Sequence, residues 1–290
     1  MKFLIAIKNT KEESKNILEI GCKIAEGFSA DLIICYIGKQ SKALIEGDVN
    51  LARKTLSEWN IHHPGLEVLE WAFNILKEKG FAPNSDFDVD NLVEEKGRIR
   101  MVLSKTTNYQ IGLVLREGDL LSELNKEVKH GDFDIAIMGS PRQKRMTNKI
   151  SQFLDTSIFF VKNFNPNWNY KILLCVDDSR ATKRAVILST RISKQFDAEI
   201  TSLTVSKTSL FGKGYRNAHI WAERYLKRIG IPFNSKLLSG NPVEVFVNEA
   251  GEDHIIIMGK AKGNEILKFI LGSKPIHTAQ RANCSVLLVN

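Results

Sequence analysis

Short and nearly unbroken apolar runs alternate along this chain with stretches in which apolar residues recur every three to four positions. The runs include Phe3 to Ile7, Leu32 to Tyr36, Phe133 to Met138, Ile158 to Val161, Ile172 to Val176, Ile255 to Met258 and Val286 to Val289, and the half-polar Ile200 to Val205 takes the corresponding place after the first helical stretch of the second half. Between them lie patterns such as Ile17, Leu18, Cys22 and Ala25, or Ala185, Leu188 and Ile192. An apolar run without alternation predicts a strand buried on both faces, and a 3.6-residue period predicts a helix with one apolar side. Strands and helices in strict alternation predict an α/β fold of doubly wound parallel sheets with right-handed crossovers.

The pattern occurs twice. Phe3-Leu4-Ile5-Ala6-Ile7-Lys8-Asn9-Thr10 aligns with Ile172-Leu173-Leu174-Cys175-Val176-Asp177-Asp178-Ser179 at an offset of 169. Further on, the helix-opening turn Arg116-Glu117-Gly118-Asp119 corresponds to Leu238-Ser239-Gly240-Asn241, and both copies then give an apolar run ending at a glycine, Gly139 or Gly259. Each copy closes on a last apolar strand, Ser157 to Val161 and Ser285 to Val289. Two domains are expected, residues 1–163 and 171–290, joined by the Asn- and Pro-bearing segment 162–170. From Gly38 to Ile111 the first copy spans 73 positions, where the second spans 30 from Val205 to Ser235. The excess predicts a helical insert at about 41–100, whose apolar positions Leu66, Val68, Leu69, Trp71, Ala72, Ile75 and Leu76 pack on their own domain or form an association surface.

Composition narrows the classes. The 290 residues are 43% hydrophobic and 26% charged, the balance of a globular chain rather than a disordered one. The net charge of +8 is uneven: residues 1–165 hold 23 basic and 23 acidic residues, and residues 166–290 hold 18 and 10. A positive field of that kind favours an anionic partner. Cys22, Cys35, Cys175 and Cys284 have no short spacing, and two sit inside apolar runs, so they read as buried hydrophobes of a reduced compartment with no zinc ligand set. The five apolar residues after Lys2 are too few for a signal peptide, and no run reaches the roughly 18 apolar residues of a transmembrane helix, so a cytoplasmic location is expected.

With these residues in view, the chain resembles the tandem universal stress proteins, over roughly residues 1–40, 111–163, 171–208 and 235–290. The resemblance implies a five-stranded parallel sheet with four helices in each domain. It also implies, for nucleotide-binding members, an aspartate after strand one that serves the nucleoside and a pattern G-x-x-G, nine residues, G-[ST], after strand four. The second copy has Asp177, Gly259 and Gly272-Ser273 at the required places, with Val205 at the end of strand two completing the set. Lys262 stands where the second glycine belongs, and Gly263 comes one place late. The implied ligand is ATP or another adenine nucleotide with magnesium, in the second domain only. A phosphate loop needs exposed backbone N–H groups and close main-chain approach, which glycine permits, and a helix opened by Gly-Ser offers its N-terminus to an anion. Lys262 either supplies a phosphate counter-charge or fills the site. In the first copy the aspartate position falls on Lys8, and Arg142 and Gln152-Phe153 replace the glycines, which leaves a degenerate motif.

Other signals lead elsewhere. Asp86-Phe87-Asp88-Val89-Asp90 lacks the Gly and Glu of a calcium loop and reads as a solvated loop. His62-His63-Pro64-Gly65 reads as a turn boundary. The basic run Pro141 to Lys149 contains no aromatic residue on which a base could stack, and nucleic acid is not expected as a partner. No nucleophile and base can be assembled from spacing, and the resemblance to universal stress proteins then implies a non-catalytic stress-response protein as the leading reading. Its rivals are a nucleotide-free scaffold for a protein partner and, third, a slow ATPase. The exposed edges of the two last strands predict packing as an intramolecular pseudo-twofold pair, with a homodimer as a further option.

Overall fold

The computed structural model describes residues 1–39, 64–95, 97–103, 109–260 and 274–290. The chain divides into two compact units, Met1–Ile137 and Met138–Asn290.

The first unit begins with β1 (Lys2–Ile7), α1 (Glu12–Phe28) and β2 (Asp31–Gly38), continues through α2 (Pro64–Glu78), β3 (Val93–Glu94), β4 (Ile99–Val102) and β5 (Ile111–Glu117), and ends with α3 (Leu120–Gly131) and the start of β6 (Ile135–Gly139). Strand β2 pairs in parallel with β1 and β5, and β6 lies beside β1. Helix α2 buries Val68, Leu69, Ala72, Phe73, Ile75 and Leu76 against β2 and β5, so the apolar face expected of the insert does pack on its own domain. It is the ordinary crossover helix between two parallel strands. The addition to the basic plan among the described residues is the hairpin β3–β4, which extends the sheet antiparallel to β5. Ile-Arg-Met-Val, shortly after Gly97 at φ 71°, has strand character, which a helical reading of the whole stretch passed over.

The second unit takes in α4 (Lys144–Phe153) and β7 (Ser157–Val161) before β8 (Lys171–Cys175), α5 (Arg180–Phe196), β9 (Ile200–Ser206), α6 (Lys213–Ile229), β10 (Phe233–Ser239), α7 (Pro242–Glu249), β11 (His254–Gly259), α8 (Lys274–Arg281) and β12 (Ser285–Val289). Five strands run parallel in the order β10-β9-β8-β11-β12. Successive strands first step outward from β8 and then resume on its other side at β11, so the strand order reverses between β8 and β11. Right-handed crossovers put α5 and α6 on one face and α7 and α8 on the other, and each pair is in contact. Strand β7 joins antiparallel to β12, with Ile158, Phe159 and Phe160 opposite Leu288, Leu287 and Val286. The last strand of the first repeat therefore covers the edge of the last strand of the second, and the unit boundary falls inside β6 rather than in the segment 162–170.

The core is aliphatic: Ile172 to Leu174 and Ile255 to Ile257 are fully buried. All four cysteines are buried and unpaired, and burial raises their thiol pKa values, to about 12 at Cys22 and Cys284. Gly118 and Gly240 occupy φ of 141° and 143°, a conformation L side chains rarely adopt. Each precedes a side-chain cap, Asp119 accepting from Ser122 N and Asn241 from Val243 N, which repeats the turn read in both copies. No helix among the described residues is long and apolar enough to cross a membrane.

Candidate functional site

In open α/β sheets a ligand crevice forms outside the carboxyl ends of the strands where the strand order reverses. In the second unit that place lies between β8 and β11. Asp177 is two residues beyond the end of β8, Gly259 closes β11, and buried Val205 is near the end of β9, the neighbour of β8 on its other side. The register sets Met258 opposite Cys175 and so brings the Asp177 and Gly259 ends level. Lys262, Gly263, Gly272 and Ser273 lie outside the described residues.

Asp177 is half-buried and tied to the first turn of α5. Its Oδ1 accepts from Ser179 N at 3.0 Å and from Thr182 Oγ1 at 2.5 Å, while its own N–H donates to Thr182 Oγ1 at 3.3 Å. These bonds satisfy groups that a helix N-terminus otherwise leaves without partners. Every hydrogen bond of this carboxylate among the described residues falls on Oδ1, so Oδ2 is the oxygen able to accept from a ligand hydroxyl or amino group. Asp178 is exposed alongside, and a Cβ at Gly214 of α6 would come within 2.8 Å of its Oδ2. Two carboxylates at one end of the crevice suit a nucleoside's hydroxyl or amino donors and repel phosphate. A phosphate chain would therefore have to lie on the Gly259 side.

Gly259 itself has a packing role. A Cβ there would meet the carbonyl carbon and Cβ of Ala181 and the N of Thr182, each at 3.0 Å, so the first turn of α5 rests on bare backbone at the end of β11. Thr182 did not enter the sequence reading, Ser179 entered it only as the end of the aligned segment, and Gly214 was given no role in the site. The spacing Ser179-x-x-Thr182 after Asp177 was the available signal.

The first unit repeats the Asp177 turn with a different residue. Asn9 Oδ1 accepts from Lys11 N at 3.0 Å and from Ser14 Oγ at 3.1 Å, and Asn9 N donates to Ser14 Oγ at 3.4 Å. Helices α1 and α5 have equal length and are offset by 168, not 169. Lys8 is therefore an extra residue between strand and turn, and the counterpart of Asp177 is Asn9. The offset of 169 holds for the strand and fails one residue past it.

A family model described as "Universal stress protein family" matches residues 169–290. The match covers the second repeat and stops short of half the chain. A universal stress protein of Archaeoglobus fulgidus DSM 4304 shares the fold over 99% of this chain and 98% of its own, at a TM-score of 0.65 and 13% identity. A protein of Pseudomonas aeruginosa UCBPP-PA14 assigned to the same family is similar over 99% of this chain and 92% of its own, at a TM-score of 0.59 and 13% identity. The cytoplasmic domain of a prokaryotic cation chloride cotransporter is similar over 99% and 94%, at 0.54 and 12%. No curated protein matches significantly. The universal stress protein fold thus extends over the chain, while the family model covers its second repeat.

Proposed function

We propose that the second unit binds an adenine nucleotide, with magnesium, at the carboxyl ends of β8 and β11, and that this occupancy, not catalysis, is the protein's output. The observation that carries the reading is the position of Asp177 at the point of strand reversal, with Oδ1 fixed by α5 and Oδ2 left as an acceptor. The first unit, with Asn9 at the equivalent turn and no glycine pattern, serves as a structural or partner-binding copy. Calorimetric titration of the full chain with ATP and AMP, with and without magnesium, tests it. One site per chain is expected. Asp177→Asn should weaken binding while leaving the melting temperature unchanged, because Asn9 shows that a carboxamide sustains the same turn. Absence of binding by wild type together with binding by Lys262→Gly would mean that the lysine fills the site.

A second reading, a nucleotide-free scaffold, draws on the packing of Gly259 against Ala181 and on the helix-capping role of Asp177. Both marks of the motif have work to do in the fold without any ligand.

A further inference from the structure

The charge excess of the second half is concentrated on one surface. Helices α5 and α6, packed side by side on one face of the sheet, carry ten Lys and Arg residues and a single acidic residue, Glu223. Their counterparts in the first unit, α1 and α2, carry seven Glu and three Lys. The fold is the same and the sign is opposite, so the positive face belongs to this domain and is not a requirement of the architecture. Among the described residues Lys183, Arg216, Arg224, Lys227 and Arg228 are exposed and enter no ion pair, and Glu223 lies 3.4 Å from His219 instead. Like charges accumulated without counter-ions oppose folding, and an anionic partner relieves them.

Aromatic rings lie within this face. Trp221 and Tyr225, one turn apart on α6 and half-buried, stack with centroids 5.4 Å apart and planes 21° from parallel. Lys183 reaches across from α5, its Nζ 5.7 Å from the Trp221 centroid. Cations that follow a phosphate chain beside stacked π-faces are the chemistry of single-stranded nucleic acid binding. An anionic membrane fits less well, because the exposed apolar residues of these helices, Ile187, Ile220 and Ile229, are scattered and between 37% and 42% exposed, with no protruding cluster to enter lipid. The basic run at 141–149 has no aromatic residue; the two-helix face brings together what that run lacks.

We propose that the α5–α6 face of the second unit docks single-stranded nucleic acid, with phosphates on Lys183, Arg216, Arg224, Lys227 and Arg228 and a base against Trp221 and Tyr225. The test is fluorescence anisotropy of labelled oligouridylate and oligothymidylate with the full chain over about 50 to 200 mM salt. Five phosphate contacts predict a fall of log K against log salt with slope about −3.5. The exposed triple variant Arg224→Gln/Lys227→Gln/Arg228→Gln should keep its circular dichroism spectrum and melting temperature and reduce the slope by about 2. Trp221→Leu should weaken binding about fivefold or more without changing the slope. Asp177→Asn should leave this binding untouched, which separates it from the nucleotide site. Failure of both oligonucleotides to bind at low salt would overturn the proposal. So would binding that survives the triple variant but is lost in Arg142→Gln/Lys144→Gln/Arg145→Gln, or binding to phosphatidylglycerol vesicles alone. Preference between the two oligonucleotides would tell RNA from DNA.

Discussion

At Gly259 the missing Cβ lets the first turn of α5 lie against the end of β11, with Ala181 and Thr182 at contact distance from where that atom would stand. Gly259→Ala should therefore destabilise the second unit by about 1–3 kcal/mol, through overpacking against backbone that cannot rotate away. Urea denaturation followed by circular dichroism reads this directly, and an unchanged midpoint would show that α5 can shift. The neighbouring turn gives a graded comparison. Asp177→Ala removes the acceptor of two hydrogen bonds and should cost about 1–3 kcal/mol, whereas Asp177→Asn should cost far less. Asp177 and Gly259 were legible in the sequence as family marks, but their structural roles were not. The side-chain partner of Asp177 is five positions away and the backbone that Gly259 packs on is more than seventy, and a single residue, Lys8, shifts the repeat between strand and turn. Residue-level equivalence between the copies was decided by hydrogen bonds to Asn9 and Ser14, which an offset read from apolar positions does not see.

Among elements, the strands and crossover helices were legible because their signal is burial itself: a run such as Ile-Ile-Ile-Met is buried on both faces wherever it occurs. The hairpin β3–β4 was not, since its strands are only two and four residues long. Beyond its backbone pairing with β5, a buried ion cluster holds it. Arg98, which leads into β4, donates from Nη1 to Glu127 Oε1 at 2.5 Å, and Arg116 of β5 donates from Nε to Glu127 Oε2 at 2.7 Å and from Nη1 to Glu123 Oε2 at 3.3 Å. Glu127 is 1% exposed and both arginines are below 7%. Glu123 and Glu127, one turn apart on α3, sit on its apolar side with Leu124 and Val128, a placement that a charged residue accepts only with a partner. Glu127→Ala removes the carboxylate that the two buried guanidinium groups share, leaving Arg116 only Glu123 at 3.3 Å and Arg98 only Glu95 at 3.4 Å, and should destabilise the first unit by about 3–5 kcal/mol. Thermal denaturation of the variant checks this, and a loss below 1 kcal/mol would mean that water replaces the carboxylate.

On the scale of the whole molecule, the repeats seen in the sequence and the compact units of the structure do not coincide. β7 ends the first repeat yet pairs with β12, so the second repeat alone would present Val286 to Leu288 as an open apolar edge. A fragment of residues 171–290 should self-associate in sedimentation velocity runs. A monomeric 171–290 at high concentration would show that the edge needs no cover. The thiols then offer a way to follow each unit inside the intact chain. Cys22 and Cys35 belong to the first unit and Cys175 and Cys284 to the second, and burial holds all four in the unreactive protonated form. An alkylating reagent can reach them only when the surrounding unit opens, so mass spectrometry of labelled peptides over time yields two opening rates from one sample. Added ATP should slow labelling at Cys175 and Cys284 and leave Cys22 and Cys35 unchanged, which makes these four side chains, without any engineered probe, a site-resolved reporter of where a ligand acts.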